Sequence, residues 1–360
     1  MDQLLTHAKL LTPRGIVDGT VQITGGRIVA IRSRSMAGAG TRSARGCYVA
    51  PGFIDLHLWG EPSTLAPELA RSGTTAFLTA LGPEPAAQLA RDVARRSRAM
   101  PEEGARCLGF HLEGPFLHPA RGGALPKRWM RSPSTRELER LWIASGKRLK
   151  LITLAPELNG AAEAIRWCKR HRVVASLGHS DANAEVAARA VDVGATAITH
   201  AFNGMRPFHH RQPSLIDLAL LDPRLTAMAI VDGVHISPSA FRLLVSAKGV
   251  EGVALVTDSV RRAGWDVVER NGALYRPDGT LAGSRLTMID AVRNAVTLGG
   301  VSLCDAVRMA TAVPARLLGD RWRGLLAIGR RADLVVFDER FRVLRTFVNG
   351  RVVYQRKTHG

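Results

Sequence analysis

The sequence is short of cysteine, of acidic residues and of long apolar runs, and each shortage excludes a class of protein. Four cysteines (Cys47, Cys107, Cys168 and Cys304) are spread over 360 residues with no Cys-x-x-Cys pair. That spacing argues against a cysteine zinc site or a disulfide framework and suits a reducing cytosol. No run approaches the roughly 18 apolar residues of a membrane span. The opening segment MDQLLTHAKLLTPRG lacks the apolar core of about 7–15 residues that a secretory signal carries. A cytoplasmic location with no membrane association is therefore expected. Acidic residues number 31 against 50 lysines and arginines, for a net charge of +19. The arginines are scattered along the whole chain and aromatics make up only 5% of it, so no aromatic-interleaved basic patch points to nucleic acid. The excess reads as solvated basic faces, which can also steer an anionic substrate.

What remains is an ordinary globular composition, 46% hydrophobic and 22% charged. Both ends are strand-like. GTVQITGGRIVAI alternates until Gly25-Gly26 breaks it, the mark of a hairpin, and Asn349-Gly350 makes a turn between two strands near the other end. Between the ends, eight short apolar runs alternate with amphipathic segments: GFIDLHL, TTAFLTAL, CLGFHLEG, LKLITLAP, VVASLGHS, ATAITHAF, TAMAIVDG and VALVTDS. Helices are predicted over 85–98, 135–145, 160–171, 184–193 and 237–248. The fold class is α/β: a (β/α)8 TIM-like barrel over 51–317, with a small β-sandwich domain built from the terminal segments 1–50 and 318–360.

Ligand-type residues follow the strand cores. GFIDLH reaches His57, GFHLE ends in Glu113, VASLGH in His179, AITH in His200, AIVDGVH in His235 and ALVTD in Asp258. The C-terminal ends of barrel strands converge on one mouth, so these side chains are expected at one site. Glu113, His179 and His200 form a nitrogen/oxygen set suited to one divalent ion, zinc first, with iron or another divalent ion sharing such ligands. Water on such an ion reaches a pKa near 7. Asp258 is the candidate general base and acid.

Seven segments in this order, PGFIDLHLWG, GFHLEGPFL, SLGHSDAN, ITHAFNGM, VDGVHIS, LVTDS and DGTLAGSRLTMIDAVRNAV, resemble the N-acetylglucosamine-6-phosphate deacetylases of the amidohydrolase superfamily. With GRRADLVVFD and TFVNGRVVY at the end, the resemblance runs from about residue 15 to residue 355. It implies hydrolysis of the N-acetyl amide of an amino sugar 6-phosphate by metal-bound hydroxide, with the metal on Glu113, His179 and His200 and Asp258 moving the protons. It also implies that Asn203, the Gly204 backbone and His235 meet the sugar phosphate, and that the backbone of Leu281, Ala282 and Gly283 faces it. Arg211, eleven positions after His200, falls where the family has an arginine reaching the phosphate from a neighbouring subunit, so a homodimer is expected. A different N-acylated amine as substrate, or a catalytically silent metal-binding relative, are the alternatives.

Three places depart from the family pattern. Leu125, twelve residues after Glu113, replaces a His or Gln that helps hold the substrate, and leucine donates no hydrogen bond. The segment after Gly60 is shorter than usual. Trp59 stands where two-metal relatives have a second histidine, which leaves His57 as a lone candidate for a second metal or a substrate contact. One ion is expected.

Overall fold

The computed structural model describes residues 3–33, 41–261 and 266–357. The chain opens with β1 (Gln3–Thr12), β2 (Gly15–Thr24), β3 (Arg27–Arg32), β4 (Thr41–Ser43) and β5 (Tyr48–Pro51). After a single residue, Gly52, it enters β6 (Phe53–Trp59). Glycine is required there because a Cβ would lie 2.1 Å from the Thr75 side chain.

The next strands are β7 (Thr74–Leu81), β8 (Arg106–Glu113), β9 (Leu149–Leu154), β10 (Val174–Leu177), β11 (Ala197–Ile198) and β12 (Thr226–Ala229). Each pairs in parallel with its predecessor. The last run of this series breaks into β13 (Val253–Leu255), which pairs with β12, and β14 (Ser259–Val260), which pairs with β6. Between the two pieces Val256 N–H donates to Ala229 O and Asp258 N–H donates to His57 O. The ring therefore closes through one kinked strand, and the expected barrel is present. Every residue of β6 and β7 is buried, as a parallel strand requires when side chains fill the barrel on one face and helices cover the other.

The helices lie within a residue or so of the predicted spans: Ala86–Arg98, Thr135–Ala144, Ala161–His171, Ala184–Val193 and Pro238–Lys248. Side chains of Ser134, Asn183 and Ser237 accept from the backbone N–H three residues on, which explains three of the starting points. A three-stranded extension was not anticipated. Strands β15 (Val268–Arg270), β16 (Ala273–Tyr275) and β17 (Leu281–Ser284) extend the barrel sheet beyond β14, with β17 parallel to β14.

Strands β18 (Leu334–Phe337), β19 (Val343–Val348) and β20 (Arg351–Gln355) return to the start of the chain. There they form one eight-stranded sheet in the order β20-β19-β18-β5-β1-β2-β3, with β4 beside β1. Its core includes Leu5, Leu10, Val21, Ile23, Val49, Leu334, Val336 and Phe347. Chain ends thus meet in a separate sheet, and β5 running directly into β6 fixes that sheet against the bottom of the barrel. The opposite end, where the parallel strands finish, is left for the site.

Candidate active site

At those strand ends a cavity of about 210 Å³ is lined by Trp59, Glu113, Gly123–Leu125, His179, His200, Asn203, Gly204, His235, Asp258 and Thr280–Gly283. Apart from His57 and Arg211, every candidate site residue named from the sequence lies on this wall. His57 is fully buried just behind it, and Arg211 is exposed on a loop outside it. Gly123, Ala124 and Thr280 were not singled out; they belong to loops whose positions depend on tertiary packing.

Glu113 is the hub. Its Oε1 is 2.9 Å from His179 Nε2, 2.8 Å from His200 Nε2 and 3.5 Å from His57 Nε2. Burial alone would raise this carboxyl's pKa, but the surrounding imidazoles, led by His57, hold it well below the usual range. Among the described residues, His57, Glu113 and His200 each offer a ligand atom, with all three atoms within 4.8 Å of one another.

Proton positions separate the histidines. His179 Nδ1 lies 2.7 Å from Arg121 O, and a carbonyl only accepts, so the ring's proton is on Nδ1. Its Nε2 then aims a lone pair at a carboxylate oxygen. Two acceptors 2.9 Å apart repel unless a cation lies between them, either a shared proton or a divalent ion. His200 Nε2 lies on the same oxygen, and because its buried Nδ1 has no hydrogen-bond partner this ring can offer Nε2 either as a donor to the carboxylate or as a ligand. The donor set fits a metal.

His57 differs. Its Nδ1 is 2.9 Å from His111 Nδ1, which is also 3.0 Å from Leu56 O. His111 is kept neutral by burial and then by the neighbouring His57. Its single proton must sit on Nδ1 to satisfy the carbonyl, while Nε2 accepts from the Thr153 hydroxyl at 2.8 Å. His57 Nδ1 therefore faces an N–H. Burial opposes a charge on His57, but Glu113 and then Asp258 raise its pKa to about 10; its Nε2 lies 3.2 Å from Asp258 Oδ1.

Local backbone explains how the side chains reach inward. His179, His200 and Asp258 have φ of 47°, 29° and 47°, left-handed values uncommon for non-glycine residues. Each lies just past a strand, where this turn swings the side chain from the barrel wall into the mouth. Such strain clusters where surrounding structure holds it in place.

The rest of the cavity is set by second contacts that sequence reading missed. Asp232 Oδ2 accepts from His235 Nδ1 at 2.6 Å, while its Oδ1 accepts from the backbone N–H of Val234 and His235. His235 thus presents Nε2 to the cavity. The i, i+3 spacing in VDGVH was an available signal for that turn. Leu125 is only 8% exposed and closes one side of the cavity with Trp59.

A sequence profile of the amidohydrolase family matches residues 48–353. An N-acetylglucosamine-6-phosphate deacetylase of Bacillus subtilis (strain 168) is 36% identical over 334 residues, 84% of each chain. An N-acetylgalactosamine-6-phosphate deacetylase of Escherichia coli O157:H7 is 34% identical, covering 98% of this chain and 99% of its own. Among solved structures, the N-acetyl-D-glucosamine-6-phosphate deacetylase of Mycobacterium smegmatis in complex with N-acetyl-D-glucosamine-6-phosphate superposes with a TM-score of 0.90. It is 32% identical, with 98% of this chain and 100% of that one covered.

Proposed function

The chain belongs to the N-acetylglucosamine-6-phosphate deacetylases of the amidohydrolase family, and on that premise we propose that it hydrolyses the N-acetyl amide of an amino sugar 6-phosphate to acetate and the free amine. The observation that carries this reading is the convergence of Glu113, His179, His200 and Asp258 on one cavity, with a proton arrangement that calls for a cation. Glu113, His179 and His200 would hold one divalent ion, most simply zinc. Such an ion supplies Lewis-acid activation of the amide carbonyl and of water. Asp258 takes a proton from the attacking water and returns it to the departing nitrogen. His235, oriented by Asp232, and Asn203 with the Gly204 backbone meet the sugar and its phosphate. Leu281–Gly283 line the opposite wall.

Arg211 is exposed and stands outside its own chain's cavity, an arrangement that suits reaching the phosphate in a second copy's site within a homodimer. Its guanidinium would meet phosphate oxygens as a fork. Four free cysteines agree with a cytosolic enzyme.

The test is acetate release from N-acetylglucosamine 6-phosphate and N-acetylgalactosamine 6-phosphate by zinc-loaded protein. We expect turnover of at least one epimer, stopped by a chelator and lowered by about 10²–10⁴-fold in Asp258→Asn. If neither substrate is hydrolysed above the Asp258→Asn level, the substrate assignment fails. One observation favours a second reading: Leu125 gives the cavity an apolar side chain in place of a hydrogen-bond donor, which suits an acyl amine other than the N-acetyl sugar. Faster release from an N-acyl amine without a sugar would support it.

A further inference from the structure

Two of the three places where the sequence departs from its family, Trp59 and Leu125, meet in the fold. Both flank Gly82: a Cβ placed there would lie 2.8 Å from Trp59 Cη2 and 3.4 Å from Leu125 Cδ2. Both belong to one apolar cluster with Ala80, Leu117, Val260 and Leu274, and both line the cavity. The indole is 3% exposed and packs on backbone on one side, so it has little room to rotate. Its one polar atom, the Nε1–H, donates to Asp258 Oδ1 at 3.1 Å.

We propose that Trp59, buttressed by Leu125, is a positioning residue that commits Asp258 Oδ1 and leaves Oδ2 as the oxygen that moves protons. This rests on the reading of Asp258 as the acid/base group. The backbone at Asp258 is already held from two sides: its N–H donates to His57 O at 2.9 Å, and its carbonyl accepts from Ser284 N–H at 2.9 Å. Arg261 N–H ties the same segment to Trp59 O at 2.9 Å. Only the side-chain torsions stay free, and without a fixed donor the carboxylate could rotate between its two oxygens. His57 and Trp59, two residues apart and therefore on one face of β6, both bring a nitrogen near Oδ1, but of the two only the indole N–H makes a hydrogen bond to it. Oδ2 lies on the side of Gly283, which also lines the cavity, and no donor among the described residues holds it. Indole nitrogen has no acceptor capacity and no accessible proton affinity, so it can orient the carboxylate without competing for the proton being moved. In this chain Trp59 thus takes a role at the site, and the leucine at 125 is explained by the ring it supports.

The test uses Trp59→Phe, which keeps an aromatic ring and loses the N–H, with Trp59→Gln as a variant that restores a donor. In the zinc-loaded protein, Trp59→Phe should lower kcat by about 10-fold or more with KM within about twofold, at unchanged metal content and thermal midpoint. Trp59→Gln should recover part of kcat. Independently of any substrate, the chain's six tryptophans give six indole 1H–15N resonances, and the one absent from Trp59→Phe identifies Trp59. In Asp258→Asn that resonance should move upfield further than the other five, because its acceptor has lost its charge. An unshifted Trp59 resonance, or full kcat in Trp59→Phe, overturns the proposal. Should the wild-type protein hydrolyse no amino sugar, the substrate reading fails while the indole resonance still decides this one. Should Trp59→Phe fail to fold, Trp59→Gln identifies the resonance in its place.

Discussion

Gly204 shows how little room the site leaves at the scale of one residue. It sits at φ 62°, and a Cβ there would lie 2.8 Å from His179 Nδ1 and 3.3 Å from Arg121 O. Those are the two atoms whose 2.7 Å hydrogen bond puts the proton on Nδ1 and turns Nε2 toward Glu113. A methyl group would wedge that bond open and free the imidazole to rotate. Gly204→Ala should therefore weaken divalent-ion binding by about 10–100-fold, the usual effect of disturbing a ligand's supporting partner. Competition against a chelator measures it. Folding stability should fall as well, by more than about 1 kcal/mol, since alanine is strained at this φ. Equal affinity in Gly204→Ala and wild type would remove the Arg121 carbonyl from the account of the site.

At the scale of elements, the barrel interior is threaded by a polar chain that crosses four strands or their ends. His111 Nε2 meets Thr153 Oγ1 at 2.8 Å, Thr153 meets Thr199 Oγ1 at 2.7 Å, and Ser176 meets Thr199 at 2.7 Å. All four residues are fully buried. Thr153→Val keeps the volume and removes the link, leaving His111 Nε2 without a donor in a place water does not reach. Such an orphaned group costs about 1–3 kcal/mol, which urea unfolding should register; a loss below about 0.5 kcal/mol would mean that water or a ring flip replaces the hydroxyl. None of this chain was visible in the sequence, where Thr153, Ser176 and Thr199 look like ordinary strand residues. The eight barrel strands were visible because each is a short apolar run, six of them reaching a ligand-type residue, and the helices because their apolar faces recur at helical spacing. The hairpin of β15 and β16 went unnoticed although Asn271-Gly272 carries the same turn signal as Asn349-Gly350. Its strands are short, and β15 is exposed throughout, so no alternation of apolar and polar residues marked it. Glu113, His179, His200 and Asp258 could be named because strand ends in a barrel converge wherever they lie in sequence. The bond from Trp59 to Asp258 could not, since it spans 199 residues and depends on which way an indole packs.

Over the whole molecule the surplus of positive charge becomes a property of function rather than of fold. Many arginines are paired: Arg224 with Asp222 and Asp192, Arg206 and Arg121 with Asp181, Arg316 with Glu251. Exposed pairs of this kind contribute little to stability. With 50 basic against 31 acidic residues, however, pairing cannot neutralise the surface, and a field of +19 acts on any charged molecule approaching the cavity. An amino sugar 6-phosphate carries a dianion and should be drawn in; an unphosphorylated N-acetyl sugar should not. The field extends about 30 Å at 0.01 M salt and about 3 Å at 1 M, so added salt removes steering while leaving contacts inside the site largely intact. We therefore expect kcat/KM for the phosphorylated substrate to fall by about 10-fold or more between those salt concentrations, provided that capture limits the rate. The value for the unphosphorylated sugar, and kcat for both, should stay nearly constant. Replacing sodium chloride by potassium chloride separates ionic strength from inhibition by a particular cation, since both salts should give one curve. If the two substrates lose efficiency in parallel, the positive surface has no part in substrate capture and the phosphate is selected only by contacts within the cavity.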